Sequence, residues 1–231
     1  MIPLRDTIPS ARFPFVNVTL IVLNGVCFLY ELSLGPDLSH FIYAFGLVPA
    51  RLHTLSVAGL GVLLSSMFLH SGWLHLLGNM LFLYIFGDNV EDRLGHARYL
   101  IFYLLSGAAA GMAQAYALPT STYPMIGASG AIAGVTGAYF LFFPTARVVT
   151  LVPIFFFFQI VEIPAVVFLL FWFVMQILYG LVTVSAAGRV AGGVAWWAHI
   201  GGFVFGMIVA PLLARTTSRR RMPPADLPWG D

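Results

Sequence analysis

Two residues in separate apolar segments could form a nucleophile and its base. Ser129 lies in the string GASGAIAG, and His199 lies in the string WWAHIGGFVFG. Hydrocarbon penalises polar groups that lack a partner, so a histidine inside a membrane is a functional-site hypothesis by default. An imidazole beside a serine hydroxyl can accept its proton and activate the oxygen for attack on a carbonyl carbon. The pair therefore predicts acyl-transfer chemistry, provided that the two segments bring these side chains together.

A second group of polar residues occurs in the string FLHSGWLHLLGNMLF. His75 and Asn79 are four residues apart, so they share one face of a helix. Their side chains could donate hydrogen bonds to a developing oxyanion, with the Ser129 backbone N–H as a third donor. The alternative is that they link helices as ordinary polar contacts. His70 is five residues from His75, so we expect it to point elsewhere and to make structural hydrogen bonds.

Two other protease chemistries find less support in the sequence. A zinc site of the His-Glu-x-x-His type needs a glutamate and a four-residue spacing, whereas His70 and His75 are five apart with no glutamate between them. An aspartyl dyad needs two facing acids inside the membrane, and Glu31 stands alone. The other nearby acids cluster at the cytoplasmic end of the second apolar segment: Asp88, Glu91 and Asp92. We therefore predict neither a metal nor another cofactor.

The composition is that of a protein that crosses a membrane several times. Of the 231 residues, 60% are hydrophobic and only 9% are charged. A helix needs about 20 apolar residues to cross a hydrocarbon core of ~30 Å, and lipid leaves no solvent partner for an open backbone. We predict an all-α membrane protein with six transmembrane helices. Their predicted bounds are 15–34, 69–87, 97–117, 127–144, 163–182 and 194–213.

The spans and their flanks predict three parts of the chain. Residues 1–14 form a cytoplasmic N-terminal segment, and residues 15–214 form one membrane domain. Residues 215–231 are polar and rich in proline, which is typical of a disordered tail. The first apolar run is long and is followed by Glu31 instead of a small-residue cleavage site, so we interpret it as a span and not as a signal peptide.

Two further apolar stretches are not interpreted as spans. Residues 41–68 contain Pro49, Arg51 and His53, so we expect this stretch to lie on or dip into the outer leaflet. Residues 148–162 are interrupted by proline and by polar residues. We expect them to form an interfacial cytoplasmic stretch that leads into the fifth span.

The arginines predict the orientation of the chain. No lysine is present, and placing both termini in the cytoplasm puts nine arginines inside and two, Arg51 and Arg189, outside. This asymmetry follows the positive-inside rule. The run Arg219 to Arg221 then lies where it can contact lipid headgroups, which we favour over a nucleic-acid partner. The absence of lysine and the short termini favour a prokaryotic plasma (inner) membrane.

Small residues would let the fourth and sixth spans approach each other. Ser129 lies three residues after Ile126 and His199 five after Val194, which places both near the extracytoplasmic face. A contact of ~3 Å between a short serine and a histidine requires that helix backbones come close, and small residues permit this. Such residues are Gly127, Gly130, Ala133, Gly134 and Gly137 in the fourth span and Ala195, Gly202 and Gly206 in the sixth. The alternative is that Ser129 is one more small packing residue among them.

Taken together, the motifs resemble the rhomboid family of intramembrane serine proteases. The matching strings are His70-x4-His75-x3-Asn79, VEDRLG at 90–95, Gly127-Ala128-Ser129-Gly130 and Ala198-His199-x2-Gly202. They run from about residue 64 to 210 and keep the order of motifs and spans. The resemblance implies a rhomboid-like bundle of six helices whose first loop, 36–68, is embedded in the membrane.

The resemblance also implies roles for individual residues. Ser129 would be the nucleophile and His199 the general base, in a dyad without a third acid. His75 and Asn79 would help to stabilise the oxyanion. Some family members carry an aromatic residue one turn after the nucleophile, on which the histidine rests, whereas this chain has Ala133 there. We therefore expect another group, such as Trp196, Trp197 or an aromatic residue of another span, to orient His199.

Other residues of the matching strings would support the site. Glu91 and Arg93 would hold the loop between the second and third spans. Structural residues near the site would be His70, Gly127, Gly130 and Gly202. Four polar residues at the outer end of the second span suggest a water-filled cavity open to the outside: Ser65, Ser66, His70 and Ser71.

The resemblance implies an endopeptidase whose substrates are single-span membrane proteins. They would enter laterally from the lipid, past a gate formed by the fifth span, and be cut near the extracytoplasmic boundary. One alternative is a catalytically inactive rhomboid-like protein that binds membrane clients, a class expected to lack the serine or the histidine. Another is a transporter, whose polar residues would extend from face to face of the membrane, whereas here they are confined to the outer half.

Overall fold

The computed structural model describes residues 1–52, 57–154, 157–185 and 193–214. Within these ranges the chain forms eight α-helices and three β-strands. The helices are α1 (Phe15–Ser33), α2 (Leu38–Phe45), α3 (Val57–Ser65), α4 (Trp73–Leu94), α5 (His96–Ala117), α6 (Ser129–Phe142), α7 (Ala165–Ser185) and α8 (Trp196–Leu213). The strands are β1 (Ile2–Asp6), β2 (Arg147–Ile154) and β3 (Phe157–Pro164).

The six predicted spans coincide with six of these helices: α1, α4, α5, α6, α7 and α8. Four of the six, namely α1, α5, α7 and α8, are individually long and apolar enough to cross a membrane. Helix α4 meets the same criterion together with the segment from Gly59 to Phe68, from which it is bent by 91°. The chain is therefore a multi-pass helical membrane protein, as predicted.

Helix α6 is too short to cross a membrane by itself. It has 14 residues, which at ~1.5 Å per residue span about 21 Å of a hydrocarbon core of ~30 Å. Every residue from Gly130 to Tyr139 is buried, so this helix is surrounded by the others. A helix with this length and position must begin or end inside the apolar layer.

Helices α6 and α8 are in contact along their backbones. A methyl group at Gly202 would lie 2.1 Å from the carbonyl oxygen of Gly130, and one at Gly206 would lie 2.0 Å from that of Gly134. No side chain fits at either position. The close approach that the small residues predicted is therefore present in the structure.

Glu91 joins three helices at the opposite end of α4 from His75. Its carboxylate accepts hydrogen bonds from the backbone N–H groups of Val16 at 2.9 Å and Asn17 at 2.7 Å. These groups lie in the first turn of α1, where no intrahelical acceptor exists. Nδ1 of His96, the first residue of α5, lies 2.5 Å from the same carboxylate. Glu91 therefore caps α1 as well as contacting the start of α5.

The guanidinium of Arg93 lies 5.6 Å above the ring centroid of Phe142, at the end of α6. The turn between α4 and α5 is made by Gly95, whose φ of +81° favours glycine. The loop that the resemblance assigns to Glu91 and Arg93 is thus tied to α1, α5 and α6.

The first loop, predicted at 36–68, forms α2, α3 and three short 3-10 turns. With eight and nine residues, α2 and α3 are only about 12 to 14 Å long and cannot cross the membrane. Leu47 pairs with Met125 as an isolated bridge, which connects this loop to the segment before α6. His53 lies outside the described residues, as do Arg189 and the predicted tail at 215–231.

The structure adds a sheet that the sequence prediction did not include. Strands β1, β2 and β3 form an antiparallel sheet in that order, and Arg147 pairs with Pro164 at the open end of the β2–β3 hairpin. The stretch predicted as interfacial, 148–162, thus forms most of this hairpin. Its β-branched and aromatic residues are typical of strands. The all-α prediction holds for the membrane-spanning part of the chain.

The N-terminal strand is held to the bundle through Asp6. The hydroxyl of Tyr139 donates a hydrogen bond to Asp6 Oδ2 at 2.5 Å, and Asn89 Nδ2 donates to the same oxygen at 3.1 Å. Burial raises the pKa of the Asp6 carboxyl above its ordinary value, and the hydrogen bond from Tyr139 partly opposes this. The segment predicted only as a cytoplasmic N-terminus is therefore packed against α4 and α6.

We predict that Gly206→Ala destabilises the bundle by about 2 kcal/mol, since the new methyl group must push α8 away from α6. The matched control is Gly25→Ala in α1, where a methyl group would meet no atom within 4 Å. The control should be neutral or slightly stabilising. The free energy of unfolding, measured by titrating dodecyl sulfate into mixed micelles, checks both. Equal losses in the two variants would contradict the role of close backbone contact.

We predict that Glu91→Ala destabilises the protein by about 3 kcal/mol, because two backbone N–H groups of α1 lose their acceptor in a buried position. Asp37→Ala, which removes an exposed carboxylate, is the control and should change the stability by less than about 0.5 kcal/mol. The same unfolding titration measures both variants. A small effect of Glu91→Ala would show that water or another group replaces the carboxylate as the cap.

Candidate active site

Ser129 and His199 meet at the end of the α6–α8 contact. Ser129 is the first residue of α6, and His199 is the fourth residue of α8. The Oγ of Ser129 lies 2.8 Å from Nε2 of His199. The histidine is buried and the serine is partly exposed. Ser129 begins its helix instead of lying three residues inside it, so its oxygen faces the loop and the cavity beyond.

The other ring nitrogen of His199 faces Gln176, on α7. Nδ1 lies 2.8 Å from Oε1 of Gln176. The Gln176 amide nitrogen donates to the backbone carbonyl of Trp172 at 3.0 Å, which leaves the amide oxygen turned toward the imidazole. Because this oxygen can only accept, Nδ1 must carry the hydrogen and Nε2 is left to accept from the Ser129 hydroxyl.

Two tryptophans lie beside the imidazole of His199, whereas position 133 carries alanine and offers no aromatic contact. The Trp172 ring lies 5.7 Å from the His199 ring with the planes inclined by 34°. Trp196 lies 6.2 Å away with its plane perpendicular to the imidazole. The expectation that Trp196 or an aromatic residue of another span contacts His199 therefore agrees with the structure. The hydrogen bond that His199 Nδ1 donates to Gln176 was not predicted.

His75 presents an N–H group to the segment that precedes the serine. The backbone N–H of Ser71 donates to His75 Nδ1 at 3.4 Å, and the Ser71 hydroxyl lies 3.1 Å from the same nitrogen. With Nδ1 accepting, the hydrogen of this ring is on Nε2. A methyl group built at Gly127 would lie 2.6 Å from that nitrogen. The His75 donor therefore points at the backbone two residues before Ser129.

Asn79 lies in the same group but also contacts His70. Its amide nitrogen donates to His70 Nε2 at 3.0 Å, and the rings of His70 and His75 are 5.0 Å apart. The prediction that His70 points elsewhere is wrong, because α4 begins only at Trp73 and helical spacing does not apply before it. The Asn79 amide has two hydrogens, so one is left for the cavity.

Glu31 holds the segment in which His70 lies. Its two carboxylate oxygens accept from the His70 backbone N–H at 3.1 and 3.2 Å. This acid stands alone in the sequence because its partner is a backbone group 39 residues away. Glu31 therefore positions the polar segment before α4.

A cavity of about 870 Å³ opens over these residues. Polar side chains from four helices and a loop line it: Ser71, His75, Asn79, Gln114, Ser129 and His199. The suggestion that Ser65, Ser66 and His70 also face a water-filled cavity is not supported. The hydroxyls of Ser65 and Ser66 donate to backbone carbonyls within the first loop. A cavity of this size has room for water and for an extended peptide segment.

Sequence reasoning missed two glutamines. Gln114 of α5 accepts from the Ala198 backbone N–H at 3.2 Å, next to His199. Gln176 of α7 contacts His199 directly. Both are isolated polar residues in apolar spans. The rule that made His199 a candidate for a functional role therefore applies to them as well. They were passed over because an amide does not itself perform acid–base chemistry.

This arrangement has the parts that acyl transfer requires. A hydroxyl faces a neutral imidazole nitrogen that can take its proton. Donors from His75 and Asn79 flank the start of α6, whose first N–H groups have no acceptor in the helix. The positive end of that helix also favours negative charge developing beside Ser129.

The fold and the site define a polytopic helical membrane protein with a serine–histidine pair between two spans. Residues 59–216 match the rhomboid domain family, and the chain belongs to that family. The match covers α4 to α8 and most of α3. It therefore includes the polar residues that line the cavity around Ser129 and His199, whereas Glu31 lies outside it.

Several curated proteins are similar to the chain. Rhomboid protease GluP of Bacillus subtilis (strain 168) is 35% identical over 131 residues, which are 56% of this chain and 24% of that protein. Rhomboid-like protein 11, chloroplastic, of Arabidopsis thaliana is 33% identical over 112 residues, 48% of this chain and 39% of that protein. Putative rhomboid protease YdcA of Bacillus subtilis (strain 168) is 39% identical over 77 residues, 33% of this chain and 38% of that protein. The chain thus spans between a quarter and two fifths of the length of these relatives.

We predict that Gly127→Ala displaces His75, because the new methyl group would lie 2.6 Å from Nε2 and because the φ of +122° disfavours a side chain. Because chemical shifts of ring nuclei depend on their surroundings, the NMR signals of the His75 ring should shift in this variant. The control is Gly61→Ala in α3, where a methyl group meets nothing within 4 Å. Unchanged His75 signals in Gly127→Ala would contradict the contact.

Proposed function

We propose that the chain is an intramembrane serine endopeptidase with Ser129 as nucleophile and His199 as general base. The observation that carries this proposal is the 2.8 Å separation between Ser129 Oγ and His199 Nε2, with the Nδ1 hydrogen held by Gln176. Membership of the rhomboid family and the similarity to a protein named rhomboid protease GluP support it.

In the proposed reaction His199 Nε2 takes the Ser129 proton as the serine oxygen attacks the scissile carbonyl carbon. The carbonyl π electrons move to oxygen, and this oxyanion accepts hydrogen bonds from His75, Asn79 and the Ser129 N–H. The C–N bond then breaks, and the imidazolium returns the proton to the leaving amine. Water, deprotonated in turn by His199, attacks the acyl carbon, the bond from that carbon to Ser129 Oγ breaks, and the imidazolium returns the proton to Oγ as the second product leaves.

The proposed substrates are single-span membrane proteins that reach the cavity from the lipid. Moving a membrane-spanning chain out of the bilayer is energetically unfavourable, so the substrate would enter between two spans of the protein. Helix α7 flanks the cavity through Trp172, which makes it the proposed gate. Cleavage requires an extended segment, because a helix hides its carbonyl carbons from an external nucleophile.

We further propose that both termini are cytoplasmic and that the cavity opens to the extracytoplasmic side of a plasma (inner) membrane. Among the described residues, five arginines lie at the end of the bundle that contains Glu91, and Arg51 lies at the end that contains the cavity. The five are Arg5, Arg12, Arg93, Arg98 and Arg147. This distribution follows the positive-inside rule and places basic side chains beside anionic lipid headgroups.

We predict that liposomes containing the protein cleave a labelled single-span substrate and that Ser129→Ala and His199→Ala each lower the rate by at least about 10³-fold. Gel analysis with mass spectrometry of the products measures the rate and the cut position. Val22→Ala, on the exposed face of α1, is the control and should cleave normally. Equal cleavage by the wild type and both dyad variants would contradict the proposal. Substrate capture without cleavage by the wild type would favour the inactive client-binding alternative.

We predict that His75→Ala and Asn79→Ala each lower kcat by about 10²- to 10³-fold, as loss of an oxyanion donor does in other acyl-transfer enzymes. KM should change little, because these donors act on charge that develops only in the transition state. The same liposome assay, run over a range of substrate density in the membrane, separates the two parameters. An increase confined to KM would instead assign the two residues to substrate binding.

A further inference from the structure

We propose that Gln176 is a positioning residue of the catalytic site, a neutral third member that fixes the tautomer and the orientation of His199. The inference rests on the proposed function, since it assigns a role in the same reaction. It differs from the implied dyad, in which no third side chain acts on the histidine.

The contacts of Gln176 leave it a single orientation. The side chain is 5% exposed and lies in the apolar helix α7. Its amide nitrogen donates to the Trp172 carbonyl at 3.0 Å, and its oxygen lies 2.8 Å from His199 Nδ1. Turning the amide over would place its N–H group against Nδ1 and its oxygen against another carbonyl oxygen. Such a reversal would lose the hydrogen bond to the Trp172 carbonyl and would set two acceptor oxygens against each other in a buried site, where an unmade bond is expensive.

The reaction requires the tautomer that this orientation selects. A neutral imidazole places its hydrogen on either nitrogen, and only the form with hydrogen on Nδ1 can accept the serine proton at Nε2. An acceptor at Nδ1 selects that form and also fixes the rotation of the ring. As the imidazolium forms, the Nδ1–H bond to the amide oxygen becomes charge-assisted and therefore stronger.

A glutamine suits an intramembrane site better than the usual carboxylate. A buried anion carries a large desolvation cost, whereas a neutral amide offers the same acceptor geometry without it. The position one turn after the nucleophile is Ala133, so the ring has no aromatic support from α6. Trp172 and Gln176 lie four residues apart on one face of α7. A single helix thus supplies both the aromatic contact and the acceptor.

A purely structural role makes a different prediction. If Gln176 only held α7 against α8, its loss would lower stability and would affect kcat and KM together through misplacement of the helix. A positioning role lowers kcat while leaving the folded bundle and substrate binding nearly unchanged. The two roles are therefore separable by measurement.

The test compares Gln176→Met, which keeps the length of the side chain but removes the acceptor, with Gln176→Glu, which keeps an acceptor oxygen. In liposomes we expect Gln176→Met to lower kcat by about 10- to 100-fold, part of the roughly 10²- to 10⁴-fold that a positioned base contributes. KM should stay within about twofold, and Gln176→Glu should recover most of the loss. Val22→Ala, on the exposed face of α1, is the control and should retain the wild-type kcat.

A second readout observes the tautomer without any substrate. Nitrogen-15 spectra of the histidine-labelled protein should show a His199 ring, identified by its loss in His199→Ala, with hydrogen on Nδ1. In Gln176→Met the same ring should become a mixture of tautomers. The thermal midpoint of unfolding is recorded for every variant.

Wild-type kcat in Gln176→Met would overturn the inference, as would an unchanged tautomer in that variant. Equal loss in Gln176→Met and Gln176→Glu, accompanied by lower unfolding midpoints, would also overturn it in favour of a structural role. If wild type and Ser129→Ala cleave alike, the proposed function fails. The nitrogen-15 spectra would still decide whether Gln176 sets the His199 tautomer.

Discussion

The direct backbone contact between α6 and α8 is the constraint on which the rest of the structure depends. The side chain of Ser129 is short, so it can meet His199 at 2.8 Å only if the two helices approach more closely than ordinary side chains allow. Gly202 and Gly206 face the carbonyl oxygens of Gly130 and Gly134 with no room for a methyl group. Lipid supplies no hydrophobic force between helices, so this close packing must itself hold the pair together.

The short length of α6 reconciles this contact with the need for water. Its 14 residues begin at Ser129, so the serine hydroxyl lies where the helix starts and not along an apolar surface. The loop before α6 places Gly127 beside His75. It leaves a cavity where a helix long enough to cross the membrane would continue. The proposed hydrolysis would then require only that water fill this cavity from one side.

The parts of the fold that were predictable from the sequence are those set by local pattern. Span positions followed from apolar length, and the approach of α6 to α8 followed from the spacing of their glycines. His70 was misplaced because helical spacing was applied before the helix begins at Trp73. Gln176 was overlooked because its importance comes from His199, 23 residues away, and not from its own neighbours. The β2–β3 hairpin was missed because its apolar run matches an interfacial stretch as well as a strand.

The most direct test of the central claim is the rate at which a fluorophosphonate forms a covalent adduct with the protein in lipid bilayers, followed by intact mass and peptide mapping. Our account predicts a single adduct on Ser129, with a rate that falls by at least about 10³-fold in His199→Ala. The fall follows because the hydroxyl then loses its base. An adduct on another residue, or an equal rate in wild type and His199→Ala, would contradict the activation of Ser129 by His199.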